Sequence, residues 1–166
     1  MIVVMAGVAG SGKTTVGKLL AARLGWVFAD GDDFHPPANV AKMRAGVPLT
    51  DADRWPWLRA IAAWMAQRAA AGESAVVACS ALRRDYRELL LSATPAARMV
   101  FLSIPHDADE ARLSERRGHF FDKKLLDSQF AAVQMPAPPE PVLVVPAAAS
   151  AEQITDEVMG LLGLSP

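Results

Sequence analysis

The chain has 166 residues, with 17 Lys+Arg against 18 Asp+Glu and a net charge of −1. That length suits one domain with one core. The balanced charge excludes a nucleic-acid binder that works by bulk cationic attraction, and 52% hydrophobic residues exclude general disorder. The single cysteine, Cys79, excludes an internal disulfide framework and a Cys-based zinc site.

The first apolar run, Ile2–Ala6, reads as a buried strand. No basic segment precedes it, so a secretory leader is not expected. It runs into Gly7-Val8-Ala9-Gly10-Ser11-Gly12-Lys13-Thr14, which matches G-x-x-x-x-G-K-[ST] between a strand and a predicted helix, Lys13–Leu24. Glycines at this spacing let consecutive backbone N–H groups turn inward on phosphate oxygens. The helix start adds the positive end of its dipole. In such a loop Lys13 reaches the β- and γ-phosphates and Thr14 offers its hydroxyl to Mg²⁺. Gly7, Val8, Ala9, Gly10, Ser11, Gly12, Lys13, Thr14 and the following Thr15 are the expected ATP-binding residues.

A second strand, Trp26–Ala29, ends in Asp30-Gly31-Asp32-Asp33-Phe34-His35-Pro36. The polar stretch 30–53, with Pro36, Pro37 and Pro48, breaks the alternation of strand and helix. An alanine-rich amphipathic helix, Trp55–Ala71, precedes a third strand, Ala75–Cys79. That strand ends in Ala78-Cys79-Ser80, with no carboxylate where a Walker B Asp usually sits. The acids after strand two are then the best supply for the metal on ATP. One aimed at the metal and a second at an acceptor hydroxyl would complete an in-line transfer site. Asp33 alone reads equally well as a solvated turn residue.

Further along come a helix at Ala81–Ser92, a strand at Met99–Ser103 and a helix at Asp107–Arg117. The stretch 112–134 is dense in charge and aromatics. A stiff Pro136–Pro141 connector leads to a last strand, Val142–Val145, and a helix, Ala151–Leu162, with Ser150 as N-cap. The strands are continuous apolar runs rather than alternating ones. That pattern predicts a doubly wound α/β fold, a parallel sheet with helices on both faces and right-handed crossovers. Residues 1–166 read as one domain, with a substrate-binding insertion at 30–58 and a lid at 112–134. Insertions at the C-terminal edge of such a sheet carry the site or its cover. No apolar run approaches the ~18 residues of a membrane span, and the cytoplasm is the expected location. Trp55, Trp57 and Trp64 read as packing residues more than as a sugar platform. Cys79 reads as a small buried hydrophobe, and His106 as a surface turn.

Several stretches resemble gluconokinases of the small P-loop type. They are Gly7–Thr14, Asp30-Gly31-Asp32, Asn39–Met43 and Gly46-Val47-Pro48-Leu49-Thr50-Asp51-Ala52-Asp53-Arg54-Trp55-Pro56-Trp57-Leu58. Cys79–Arg87 and Arg117-Gly118-His119-Phe120-Phe121 extend the likeness to residue 145 or so. The resemblance implies a five-stranded parallel sheet, a lid, ATP with Mg²⁺, phosphorylation of D-gluconate at its 6-hydroxyl, and a homodimer. It implies catalytic roles for Lys13, Asp32 and Arg116. Asp30 would lie near Mg²⁺ with Thr14, and Asp32 would orient or deprotonate the acceptor hydroxyl. Arg54 would pair with the gluconate carboxylate through its guanidinium fork. His35, Lys42 and Arg83 would be on the substrate side. Arg112 and Arg116 match the basic positions of the lid, near adenine and the moving phosphoryl group. His119 and Gln129 would close the lid over the substrate.

Two local departures accompany the likeness. The family reads close to Thr-Leu-Glu-Glu-Pro where this chain has Ala132-Val133-Gln134-Met135-Pro136, and it ends the last strand in Asp where Pro146 stands. The alternatives are another small-molecule kinase of this fold, shikimate-like or for adenylylsulfate, and a non-catalytic ATP-binding switch. Adenylylsulfate kinase shares an Asp-Gly-Asp after strand two but does not explain Asp53-Arg54-Trp55-Pro56-Trp57-Leu58.

Overall fold

The computed structural model describes residues 1–115 and 123–166. Its five strands are β1 (Ile2–Ala6), β2 (Val27–Asp30), β3 (Ala75–Ala78), β4 (Ala97–Ser103) and β5 (Val142–Pro146). All neighbours pair in parallel, in the order β2-β3-β1-β4-β5. The helices are α1 (Lys13–Leu24), α2 (Pro37–Arg44), α3 (Asp51–Ala70), α4 (Arg84–Leu91), α5 (His106–Ser114), α6 (Lys123–Ala132) and α7 (Ala151–Leu162). The expected doubly wound sheet is present.

The central strand shows why its apolar run is continuous. Ile2, Val4 and Ala6 join the core under α3 and α4, while Val3 and Met5 join the core under α1 and α7. Each β1 side chain is fully buried. Burial of one Val, Ile or Met side chain stabilises by about 1.5–3 kcal/mol, so a polar residue on either face of β1 would be costly.

Element boundaries depart from the sequence reading where side chains from elsewhere decide them. Helix α3 starts at Asp51 rather than Trp55. Thr50 forms a capping box there: its hydroxyl accepts from the Asp53 N–H, and the Asp53 carboxylate accepts from the Thr50 N–H at 2.9 Å. The prolines read as a break instead open α2, with Pro37 at its first position, where a missing N–H costs nothing. Helix α4 starts at Arg84 rather than Ala81, because Ala81 has a φ of 42°. The Arg84 N–H is met by the Gln134 side chain at 2.8 Å. Helix α5 spans His106–Ser114 rather than 107–117, and α6 occupies much of the stretch expected as lid. Trp26 precedes β2, its N–H bonded to the Ala21 carbonyl at the end of α1. At the other end of the chain, Ser150 caps α7 in a box with Gln153, as its position implied.

Candidate active site

The turns after β1, β2, β3 and β4 meet at the C-terminal edge of the sheet. The phosphate loop follows β1. Gly10 and Gly12 adopt φ of 82° and 95°, a region that favours glycine. A methyl at Gly10 would also overlap the Asp109 carboxylate and press on Leu113. The Gly7 N–H donates to the Ser80 carbonyl at 3.1 Å, which ties the loop to the turn after β3. The Ser11 hydroxyl and the Lys13 ammonium both donate to the Val8 carbonyl, at 2.8 and 3.2 Å. Burial lowers the Lys13 pKa, and the facing carboxylates of Asp32, Asp30 and Asp109 oppose that shift. Thr14 and Thr15 lie in the first turn of α1.

The turn after β2 carries the acids. Asp30 accepts from the Asp32 N–H at 3.0 Å and caps a short 3-10 turn, Gly31–Phe34. Asp32 has its pKa raised, first by desolvation and then by the charge of Asp30, with Lys13 pulling the other way. Gly31 is obligatory, because a Cβ there would collide with the Ala78 carbonyl of β3. Its own carbonyl accepts from the Trp57 indole N–H at 2.7 Å. Trp57 is thus more than buried packing, because its indole N–H pins the turn that carries Asp32. Trp55 packs edge-on against Tyr86 and Trp64 against Phe34, as packing residues.

His35 stacks on Trp57 with ring centroids 4.3 Å apart. The Asn39 side-chain amide donates to the Asp53 carbonyl at 2.9 Å and faces His35 Nδ1 at 3.2 Å. An NH₂ group can only donate, so Nδ1 accepts and the imidazole proton resides on Nε2. Burial lowers the His35 pKa, with Asp32 opposing and Arg54 reinforcing, which favours this neutral form. Asn39 is 3% exposed. Sequence reasoning left its role unassigned, although it stands in a motif that carries the family likeness. Lys42, expected on the substrate side, bonds Asp53 at 2.8 Å and joins α2 to α3. That bond and the Thr50 N–H hold the Asp53 carboxyl at about 2.

Beside these turns lies a cleft of about 120 Å³ whose walls include Arg54, Trp57, Ser80, Arg83, Tyr86 and Gln129. Both guanidiniums reach toward Asp51 at 3.7 Å, and the Tyr86 hydroxyl donates to the same carboxylate. Arg83 also contacts Asp85 at 3.3 Å. Gln129 enters from α6 and accepts from the Ala9 N–H of the phosphate loop at 2.7 Å. Arg112 of α5 donates to the Ala147 carbonyl, just past β5, at 2.7 Å. Arg116 and His119 lie outside the described residues.

A larger cavity, about 250 Å³, opens between Val8, the end of β4, Phe130 and Met135, and among the described residues its walls hold no charged side chain. Cys79 is buried as expected, and that burial pushes its thiol up to about 12. His106 is more than a turn residue: it opens α5, bonds Asp127 of α6 at 2.6 Å and packs on Phe130.

Among the described residues, no cluster of three or more His, Cys, Asp or Glu side chains could hold a metal ion unaided. A threonine hydroxyl and one or two carboxylates beside a phosphate cradle suit Mg²⁺, which binds through few protein oxygens and the phosphates of its nucleotide. The residues present fit that group.

A parallel sheet of this order, a glycine cradle leading into α1, and acids facing the cradle lysine define a P-loop kinase. Comparison with known proteins agrees. A family model described as an AAA domain matches residues 2–136. The chain is 44% identical over 156 residues to the gluconokinase of Gluconobacter oxydans, which covers 94% of this chain and 88% of that protein. It also superposes on a crystal structure of a gluconokinase from Sinorhizobium meliloti with TM-score 0.88 and 40% identity, over 97% of this chain and 90% of that one. A sugar kinase from Janibacter gives TM-score 0.91 and 42% identity, over 99% of this chain and 95% of that one. The chain belongs to the gluconokinase family.

Proposed function

We propose that the chain transfers the γ-phosphoryl group of ATP to the 6-hydroxyl of D-gluconate. The observation that carries the reading is the cleft holding Arg54 and Arg83, whose wall residues Trp57 and Gln129 bond the turn of Asp32, at Gly31, and the phosphate loop, at Ala9. Two guanidiniums in that cleft suit a carboxylate, and the polar side chains of Ser80, Tyr86, Ser128 and Gln129 that share its walls suit a polyol chain. The family membership supports the same acceptor. Nothing in this arrangement suggests a switch that binds ATP without an acceptor.

Each residue has its own part in the transfer. The amides of residues 7–14 cradle the phosphates, and Lys13 neutralises charge on the moving group. Thr14 and Asp30 would hold Mg²⁺, which would supply Lewis-acid stabilisation of the charge on the phosphates. Asp32 accepts a hydrogen bond from the 6-hydroxyl and then its proton; desolvation and the Asp30 charge raise its pKa, which makes its carboxylate a stronger proton acceptor. Arg54 and Arg83 bind the acid end of gluconate, while neutral His35 offers its Nε2–H to a sugar hydroxyl. Arg112 flanks the adenine edge, and Arg116 and His119 belong to the lid. Lys42 stands on the substrate side and also ties α2 to α3 through Asp53. Closure of the 112–134 segment excludes water that would otherwise hydrolyse ATP. The proposal includes a homodimer in the cytoplasm; light scattering of the purified chain tests the first part.

An ADP-release screen over gluconate, other sugar acids, polyols, shikimate, nucleoside monophosphates and adenylylsulfate tests the assignment. Gluconate should raise ADP release in the presence of Mg²⁺. A response to shikimate or a nucleotide, with none to gluconate, overturns it.

A further inference from the structure

Ala81 is the only non-glycine residue with positive φ among the described residues, at 42°. An alanine in that conformation crowds its Cβ against its own backbone, so its surroundings must hold it there. They do so through a buried ion pair that the phosphotransfer chemistry does not use. Arg87, one turn into α4, is 0% exposed. Its Nη1 donates to the carbonyls of Ala81 and Leu82, at 3.2 and 3.0 Å. Its other edge forms a fork with Glu140, Nη2 to Oε2 at 3.1 Å and Nε to Oε1. The guanidinium also lies over the Phe101 ring. Glu140 is itself buried and arrives from the connector before β5.

A buried ion pair is poor evidence for stability, since apolar residues of similar volume often serve as well. What this pair fixes is geometry. The residue before Ala81, Ser80, accepts from the Gly7 N–H, and Ser80, Leu82 and Arg83 line the acceptor cleft. We propose that the Arg87–Glu140 pair is a positioning device for the acceptor: it locks the Ala81 turn and thereby sets the cleft wall against the phosphate loop. It touches neither substrate. This inference rests on the gluconate reading above.

The test must separate positioning from folding. The double variant Arg87→Met/Glu140→Leu removes both charges together, leaves no lone buried charge and keeps the volume. It should stay folded with a thermal midpoint a few degrees lower, because the buried Ala81 carbonyl loses its donor while that of Leu82 keeps the Gln134 N–H. Its KM for gluconate should rise about 10-fold or more, because a wall misplaced by about an ångström costs up to ~10²-fold. Its KM for ATP should stay within about twofold, because the cradle glycines and Lys13 are intact. Should the double variant fail to fold, Ala81→Gly and Arg87→Lys carry the same test. The first frees the turn with the pair in place; the second keeps the charge but loses the fork. Each should raise the gluconate KM severalfold against an unchanged ATP KM. Folded variants with wild-type gluconate KM, or with both KM values moving in proportion, overturn the proposal. Failure of the gluconate reading shows separately, as wild-type enzyme without gluconate-dependent ADP release. The same comparison is then made with the acceptor that does release ADP.

Discussion

The side-chain oxygen of Gln129 accepts a hydrogen bond from the backbone N–H of Ala9 at 2.7 Å, so helix α6 is fastened to the phosphate loop. An amide N–H can only donate, which fixes the orientation of the Gln129 amide. Its NH₂ end is left as a donor in a residue that also lines the acceptor cleft. One side chain thus connects the two halves of the reaction. Gln129→Leu should lower kcat with gluconate by about 10–100-fold, the scale of lost alignment, with a smaller change in the KM for ATP. Gln129→Glu keeps an acceptor for Ala9 but loses the donor and adds charge beside the phosphates, so its kcat should fall further. Initial rates at saturating substrates decide both.

Lys13→Ala should abolish measurable turnover while the fold persists. The Lys13 ammonium bonds only the Val8 carbonyl among the described residues, so its loss removes one hydrogen bond at the loop and little core packing. Loss of a positioned charge at the moving phosphoryl group commonly costs about 10²–10³-fold or more. A thermal melt and an ADP-release assay on the same preparation check the pair of outcomes. A near-wild-type rate would refute the loop's assigned role.

The sheet and the cradle are legible in the sequence because they are written locally. A buried parallel strand shows as an unbroken apolar run such as Ile2–Ala6, and the cradle shows as glycines at fixed offsets before Lys13. Features that depend on distant partners are hidden. The start of α4 is set by Gln134 and by the Arg87–Glu140 pair, which meet it only after the chain has crossed β4 and returned. Lys42 reads as a substrate-side residue from its motif, but its bond to Asp53, which the packing of α2 on α3 creates, does not show there. Helix α2 is masked by Pro36 and Pro37, because a proline at the first helical position and a proline that ends a helix look alike in sequence. Trp57 is legible as packing, but not the single N–H it gives to Gly31.

Arg54→Lys should raise the KM for gluconate much more than that for ATP. Lysine keeps the charge but lacks the planar fork that engages both carboxylate oxygens. Arg54 also approaches Asp51, so equal effects on the two substrates would mean that its work is to hold the start of α3. Steady-state kinetics with each substrate varied in turn distinguish the outcomes.

Trp57→Phe should keep the ring stacked on His35 and remove the N–H that Gly31 accepts. A buried carbonyl left without its donor costs about 1–3 kcal/mol, which for a chain of this size lowers the thermal midpoint by roughly 2–4 °C per kcal/mol. The turn that carries Asp32 loosens with it, so kcat should fall severalfold while the KM for ATP holds. Calorimetry and steady-state rates on one preparation test both effects.

Asp32→Asn should separate chemistry from binding and alter two pH profiles. Desolvation and the Asp30 charge raise the Asp32 pKa above its ordinary 3.8. If the ionised carboxylate accepts the 6-hydroxyl proton, kcat/KM for gluconate must fall as pH drops through that raised value. Asn should remove this acid limb and lower the plateau by about 10²–10⁴-fold, the span of a positioned base. A loose phosphoryl-transfer transition state needs little base help and would put the fall at the low end. The stability profile has the opposite sense. Between 3.8 and the raised value, native Asp32 holds a proton that the unfolded chain has released. Stability contributed by this group is therefore greatest at low pH and lost as pH rises through that window. Asp32→Asn should consequently be more stable than wild type at neutral pH while far less active. Asp30→Asn should behave differently: its rate should recover with excess Mg²⁺, because its carboxylate is assigned to the metal. Titrating both variants with Mg²⁺ at saturating gluconate settles the assignment. Rescue of Asp32→Asn by the metal, with none for Asp30→Asn, would exchange the roles of the two carboxylates.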